Sequence, residues 1–228
     1  VQRDLQEQSA QREARENVLL FLQENGISLE EGVLPQEMEL LPQTVDWDRD
    51  REREAAVLLL GGEVQEQAWS DEIYRYYNDQ GSIQFHRDGT FQGEFVEGAL
   101  PLEGREPWAR CQELLGMLGV DGEQLSLQAE GEESAVVCRQ RWNGVPIFNH
   151  QITLRLRRDC VTSVEGRRLT GTPASDAGRE PISIPTALVQ FYHGMVELGD
   201  VCSQIVSITP GYLTSTGTGP SALTPVWQ

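Results

Sequence analysis

Histidine and cysteine are the residue types in this sequence best suited to metal binding, nucleophilic attack and general-base catalysis. The three histidines, His86, His150 and His193, are expected on a hairpin strand, a second strand and a helix. No two of them have the spacing of metal ligands, so we predict structural or surface roles for all three. The four cysteines form no CxxC pair and no cluster with histidine; they are Cys111, Cys138, Cys160 and Cys202. We expect buried thiols and leave one disulfide open.

Other catalytic motifs are missing. The sequence contains no HExxH, no GxSxG and no glycine-rich phosphate loop followed by a helix, and the glycines at 217–219 fit a hairpin loop. The acidic clusters at 30–31 and 130–133 lack the alternating spacing of a calcium loop and are expected to be solvated. The sequence therefore predicts no catalytic, cofactor-binding or metal site, although a triad assembled from distant residues stays open.

Three tyrosines form an aromatic cluster on a predicted strand. Tyr74 and Tyr76 alternate to one face and Tyr77 to the other, which favours ordinary sheet packing. The alternative is a partner surface, because exposed tyrosines are effective interface anchors.

Composition limits the class of protein. The chain has 228 residues, 39% hydrophobic and 24% charged, and its longest apolar run, 55–60, is far shorter than a membrane span. Eighteen basic against 36 acidic residues give a net charge of −18, which would repel a phosphate backbone. We therefore expect a folded, water-exposed chain that does not bind nucleic acid.

Helix and strand signals alternate along the chain. The predicted helices cover 3–25, 107–118 and 185–198, and a further helix that ends at 60 is capped by Asp46 or Asp48. The predicted strands cover 73–77, 83–87, 90–96, 125–129, 135–142, 145–157, 160–169, 205–213 and 223–227. The segments 26–43 and 170–180 read as an irregular linker and a loop.

This order predicts an α+β fold in which helices pack on antiparallel sheets, with internal duplication after an N-terminal stalk helix. The predicted divisions are 1–44 for the helix and linker, 45–103 for a first helix-plus-sheet unit and 104–228 for a second unit. The polar first half of the N-terminal helix fits a solvated stalk.

The segment 141–154, RWNGVPIFNHQITL, resembles the hairpin of PepSY-like domains. Asn143 and Gly144 supply its tight turn, Pro146 suits a sheet edge, and Phe148 adds apolar surface. The tail 222–227, ALTPVW, is similar to the strand that opens the last hairpin of such domains. By this resemblance both predicted units are PepSY-like and the C-terminal hairpin is incomplete.

With the stalk helix and the helix-then-strands order, the whole chain resembles the YycH/YycI family, and its YycI-like members in particular. The resemblance implies a protein held in a Gram-positive cell membrane by one N-terminal transmembrane helix, absent from this chain, with this domain on the extracellular side. It implies two partners, a sensor histidine kinase that controls cell-wall metabolism and a sister YycH-like regulator. Assembly into a homo-oligomer is left open.

The leading hypothesis is accordingly a non-catalytic extracytoplasmic regulatory domain that modulates the kinase by protein–protein contact, without a cofactor. The alternative is an inhibitor or folding assistant of a secreted protease or cell-wall hydrolase, as in PepSY/FTP propeptides. A third hypothesis is an unrecognised hydrolase.

Overall fold

The computed structural model describes residues 2–30, 32–35, 40–175, 183–215, 217 and 219–228. The described residues contain four helices: α1 (Gln2–Glu24), α2 (Arg49–Leu60), α3 (Pro107–Met117) and α4 (Ile184–Leu198). They also contain fourteen strands: β1 (Ser28–Leu29), β2 (Gln43–Val45), β3 (Gln65–Ser70), β4 (Ile73–Asn78), β5 (Gly81–His86), β6 (Thr90–Phe95), β7 (Asp121–Glu130), β8 (Glu133–Trp142), β9 (Val145–Arg157), β10 (Cys160–Arg167), β11 (Pro173–Ser175), β12 (Gln204–Ile205), β13 (Pro210–Thr214) and β14 (Ser221–Trp227). The fold is α+β, as the sequence predicts.

The chain forms two compact units, each built from segments that are distant in sequence. Unit 1 takes the described residues of Val1–Leu41, Gly178–Gly211 and Pro225–Gln228. Unit 2 takes those of Pro42–Ala177 and Tyr212–Thr224. In the described part of the chain, no helix combines the length and the apolar character needed to cross a membrane.

Unit 2 is dominated by one sheet. Its antiparallel path runs from β7 through β8 to β9, and from β9 through β10, β6, β5 and β4 to β3. The pairing of β6 with β10 places strands from 45–103 and from 104–228 in the same sheet. β3 is an edge strand exposed along its whole length and has no alternation of apolar residues, which is why the sequence did not indicate it.

Helices α2 and α3 cover one face of this sheet. Asp48 begins α2 by accepting hydrogen bonds from the backbone N–H groups of Asp50 and Arg51, at 3.1 and 3.4 Å, and Gly61 ends it at φ 65°. Both helices direct an apolar stripe inward. The core that they share with the sheet includes Ala55, Ala56, Leu59, Tyr76, Ile83, Phe85, Leu114, Leu115, Leu118, Val136, Ile152 and Leu154.

The sheet forks at β9. β8 pairs with one edge of β9 at residues 151–157 and again at Pro146 and Val145, with a register shift between them. The other edge of β9 pairs with β10 from Ile152 onward and with β13 at Ile147. Through β13 the second branch continues to β14, β2 and β11. His150 lies at the fork and is 1% exposed.

A hydrogen-bond network closes this fork. Gln140 of β8 binds both backbone groups of Leu169, its Nε2 donating to the carbonyl oxygen and its Oε1 accepting from the N–H, each at 2.7 Å. The same Oε1 lies 3.0 Å from His150 Nδ1, which therefore carries the proton, and His150 Nε2 accepts from the Thr214 hydroxyl at 2.7 Å. The network ties β8, β9 and β13 to the chain that follows β10.

Unit 1 packs α1 against α4. Phe21 and Tyr192 meet edge to face with ring centroids 5.0 Å apart, and the Tyr192 hydroxyl donates to Asn25 Oδ1 at 2.8 Å. The buried core consists of Val18, Leu22, Ile27, Ile184 and Leu188. The short strands β1 and β12 pair in parallel beside it. The first half of α1 is exposed wherever its side chains are described, as expected for a solvated stalk.

Several predicted boundaries change. The strand expected over 205–213 is two strands, β12 and β13, with residues 206–209 between them. Pro210 has no N–H to donate, which limits ladder formation through this region. The predicted linker contains the strand β1, and its residues 31 and 36–39 lie outside the described residues. The predicted loop 170–180 contains β11, and its residues 176–180 also lie outside them.

The two-residue turn between β8 and β9 gives a first prediction. Asn143 and Gly144 have φ values of 51° and 81°, a conformation that strains side chains other than glycine and, less severely, asparagine. Gly144→Val should lower the free energy of unfolding by about 1–3 kcal/mol, measured by urea denaturation. Gly116→Ala is the control, because a Cβ there meets open space in a helix. Unchanged stability of Gly144→Val would contradict the turn.

His150 gives a second prediction. Burial is the main cause that lowers the pKa of His150 to about 3, and the nearby positive charge of Arg167 adds to the shift. Because the unfolded chain binds this proton near pH 6.5, the stabilisation is complete above that pH and is lost as the pH falls. Between pH 7 and 4.5 it should contribute about 2–3 kcal/mol of pH-dependent stability, which His150→Gln removes. His193→Gln, at an exposed position, is the control. Identical pH profiles for wild type and His150→Gln would contradict the assignment.

Candidate functional site

Unit 1 contains an apolar groove with a volume of about 530 Å³. We call it the α4 groove. Three segments supply its walls: helix α4, the chain at 202–208 and the C-terminal residues 225–228. Its lining includes Ile184, Leu188, Phe191, Ile205, Val206, Ile208, Pro225, Val226 and Trp227. Proteins usually bind their ligands in concave apolar surfaces of this size.

Local sequence explains the position of α4. Ser183 Oγ accepts from the Thr186 N–H at 3.4 Å, Pro185 occupies the first turn, and Gly199 ends the helix in the left-handed conformation at φ 73°. Ile184 and Leu188 belong to the buried core of unit 1 as well as to the groove wall. Phe191 is 45% exposed, so the groove has an accessible aromatic side chain on a fixed helix.

Two of the groove's large apolar side chains are exposed. Among the five exposed between 191 and 206, which are Phe191, Val196, Leu198, Val201 and Val206, Phe191 and Val206 line the groove. Single exposed apolar residues are normal on a protein surface, but exposed apolar residues that line an apolar cavity indicate an interaction site.

The stretch of chain that supplies the groove walls carries no positive charge. Residues 183–228 contain no arginine or lysine and two carboxylates, Glu197 and Asp200. Glu30 is held beside the groove residue Gln204, whose Nε2 donates to its carboxylate at 3.4 Å. The negative charge of this stretch favours a basic partner over an acidic one.

A second cluster, in unit 2, is polar and enclosed. Glu52 of α2 is 4% exposed, and its Oε1 accepts a 2.6 Å hydrogen bond from Trp47 Nε1, whereas Oε2 has no hydrogen-bond partner among the described residues. Burial raises the pKa of Glu52 to about 6, against the opposing effects of the Trp47 hydrogen bond and the Arg168 charge.

Arg168 is the cation of this cluster. It is 5% exposed, donates from Nη1 to the Leu118 carbonyl, and stacks over the Phe85 ring at 4.3 Å. Burial lowers its pKa to about 10, so the guanidinium is charged at neutral pH. Glu52 and Arg168 line a cavity of about 30 Å³ together with Trp47 and Arg87, which has room for about one water molecule.

The described residues give little support for chemistry at the histidines and cysteines. No three described His, Cys, Asp or Glu side chains come together in a way that could hold a metal ion. All four cysteines are free thiols; Cys111 and Cys138 are buried, as predicted, while Cys160 and Cys202 are partly exposed. Burial raises the pKa of Cys111 and of Cys138 to about 12, so neither is a thiolate at neutral pH.

The other residues noted in the sequence have structural or surface positions. Tyr74 and Tyr76 are buried in the sheet and Tyr77 is only partly buried, which confirms the packing interpretation. Glu132 and Glu133, in the acidic cluster between β7 and β8, are exposed and form ion pairs with Arg158 and Arg157 at 3.0 and 3.8 Å. Glu31 and the turn residue 218 lie outside the described residues.

Sequence reasoning missed both the α4 groove and the Glu52 cluster. Glu52 precedes Ala55, Ala56 and Leu59 at helical spacing, so a carboxylate at the start of an apolar stripe was the available signal. For the groove, the available signal was the apolar stripe of α4, of which Ile184, Leu188 and Phe191 line the cavity. The third wall, 225–228, comes from a distant part of the sequence, and no local pattern indicates that it packs beside α4.

Comparisons with known proteins leave the chain unassigned. No family model matches it, and no curated protein matches it significantly.

The buried carboxylate gives a third prediction. The folded pKa of Glu52, about 6, lies above its ordinary value of 4.5, so its stabilising effect is present below pH 4.5 and lost as the pH rises through 6. Glu52→Gln keeps an acceptor for Trp47 and cannot ionise. Relative to wild type, it should gain about 2 kcal/mol of stability between pH 4.5 and 7.5.

The measurement is the difference in unfolding free energy between the two proteins across this pH range, in which the contribution of His150 cancels. Glu54→Gln, at an exposed position of the same helix, controls for the loss of one carboxylate. A wild-type-to-variant difference that stays constant with pH would contradict the buried position of Glu52.

Proposed function

We propose that this chain is a non-catalytic extracytoplasmic regulatory domain that modulates a membrane sensor histidine kinase of a two-component system by protein–protein contact. The resemblance of 141–154 and 222–227 to PepSY-like domains, and of the whole chain to YycI-like proteins, supports the proposal. The partners are then the kinase and a sister YycH-like regulator, in control of the cell wall. The domain lies on the outer side of the membrane, to which a transmembrane segment anchors it.

The α4 groove is the observation that carries this function. An apolar cavity of about 530 Å³, with Phe191 and Val206 exposed in its wall, is suited to burying side chains of a partner. The Pro225-Val226-Trp227 sequence that contributes to the family resemblance forms part of that wall. The proposed contact surface therefore includes one of the two motifs on which the family resemblance rests.

The proposal also includes an internal duplication. Two PepSY-like units, 45–103 and 104–228, would each contribute one helix that packs on antiparallel strands. The arrangement of α2 with β3 to β6, followed by α3 with β7 to β10, supports this division. The hairpin of β8 and β9, with its turn at Asn143 and Gly144, is the clearest local match.

The enclosed ionisable residues have structural roles in this proposal. Glu52, Arg168 and His150 are each at least nine-tenths buried, and their assigned contacts are with neighbouring protein groups. A partner would meet none of them directly, so regulation would depend on the exposed apolar surface of unit 1.

Site-specific photo-crosslinking tests this function. A photoreactive phenylalanine analogue replaces Phe191 in the native membrane protein, in its own cells, and crosslinked products are identified by mass spectrometry. We expect a sensor histidine kinase among them. Leu20, which is 57% exposed on α1 and outside the groove, is the control position and should give no such product.

A change in signalling must accompany the contact. Phe191→Glu should alter phosphorylation of the response regulator in the same direction as deletion of the protein, whereas Leu20→Glu should not. Unchanged phosphorylation on deletion would contradict the proposal. A secreted protease or wall hydrolase crosslinked at position 191, in place of a kinase, would favour the inhibitor alternative.

A further inference from the structure

The cavity beside Glu52 and Arg168 is lined by polar side chains that the protein leaves partly unpaired. Among the described residues, Glu52 Oε2, Arg168 Nη2 and Arg87 Nε are buried atoms without a hydrogen-bond partner. All three side chains line the same cavity of about 30 Å³. Because buried polar atoms are destabilising when unpaired, this cavity is a place where a small polar molecule would be stabilised.

Glu52 and Arg168 are enclosed, and both are fixed by other contacts. Glu52 is 4% exposed and accepts the 2.6 Å hydrogen bond from Trp47, whereas Arg168 is 5% exposed and contacts the Leu118 carbonyl and the Phe85 ring. The remaining atoms, Glu52 Oε2 and Arg168 Nη2, do not bond to each other. Their charges nevertheless interact, since Arg168 opposes the rise in the pKa of Glu52. A molecule between the two atoms would complete the pair.

The numbers of donors and acceptors identify the occupant. The N–H groups of Arg87 and Arg168 need an acceptor, and the carboxylate oxygen of Glu52 needs a donor. A water molecule can accept two hydrogen bonds and donate two, so it serves all three atoms. An anion would be repelled by the Glu52 carboxylate, and a metal cation would be repelled by the two guanidinium groups. The cavity volume also has room for about one water molecule.

We propose that one buried water molecule occupies this cavity, donates a hydrogen bond to Glu52 Oε2 and accepts hydrogen bonds from Arg168 Nη2 and Arg87 Nε. The water joins helix α2 to the chain that follows β10. In that chain Arg168 precedes Leu169, whose backbone groups are bound by Gln140 at the fork. The inference goes beyond the proposed function, because every residue of this site belongs to unit 2, whereas the α4 groove belongs to unit 1.

A high-resolution crystal structure of the 228-residue chain at neutral pH tests the occupant. We expect one peak of electron density within about 2.7–3.2 Å of Glu52 Oε2, Arg168 Nη2 and Arg87 Nε. Crystals grown in bromide should show no anomalous signal at this position, because bromide would mark a site for an anion. A bromide signal, a cavity without density, or a direct ion pair between Glu52 and Arg168 would each overturn the inference.

NMR spectroscopy tests the same site in solution. The indole N–H of Trp47 donates to Glu52, so its proton lies close to the proposed water and should show cross-relaxation with a long-lived water molecule. Trp69, which is 57% exposed on β3, is the control and should show only short-lived surface water. The same behaviour at both indoles would contradict a bound water.

Two substitutions of Glu52 test whether the water needs an acceptor there. Glu52→Gln keeps an oxygen acceptor and should keep the long-lived water signal at Trp47. Glu52→Leu has no acceptor for the water and should abolish that signal. A signal that persists unchanged in Glu52→Leu would overturn the inference.

Arg87, which is only partly buried, allows a milder substitution at the same site. Arg87→Met removes one donor to the water and should shorten the residence time of the water, measured by magnetic relaxation dispersion, by about three- to tenfold. Arg53→Met, at an exposed position of α2, is the control and should leave the residence time unchanged. Equal residence times in wild type and Arg87→Met would reject the proposed hydrogen bonds.

Discussion

The pairing of β9 along both of its edges is the constraint on which unit 2 depends. β8 pairs with one edge on both sides of a register shift, and the other edge is divided between β10 and β13. Where those two strands separate, ladder bonds alone leave backbone groups without partners, and burying them unpaired would be costly. The Gln140 side chain bonds both backbone groups of Leu169, and the Asn149 side chain bonds both backbone groups of Thr214. His150 links the Gln140 and Thr214 side chains. Helices α2 and α3 pack their apolar faces on the sheet that this network stabilises.

The two units differ in the polarity of their buried residues. In unit 2, charged groups such as Glu52 and Arg168 are drawn inside the fold, where burial shifts the pKa of Glu52 upward and that of Arg168 downward. In unit 1, the buried side chains among the described residues are apolar. The stability of unit 2 is therefore sensitive to pH, and the α4 groove of unit 1 is an apolar surface suited to a partner.

The proposed regulatory function follows from this division. A contact-based regulator needs a fixed framework and an accessible apolar surface, and it needs no reactive group. Helix α4 meets both requirements, since Ile184 and Leu188 anchor it in a core and Phe191 stays accessible.

The sequence by itself determined the four helices, most of the strands and the hairpin turn at Asn143 and Gly144, because capping residues, periodicity and left-handed turns are local properties. It also determined the acidic charge and the packing of Tyr74 and Tyr76. Only the tertiary structure decided the fork at β9, the burial of Glu52 and the α4 groove. Each of these joins segments far apart in the chain, such as Gln140 with Leu169, or α4 with Trp227. Pairings of that kind depend on long-range packing, which leaves no periodic signal in the sequence.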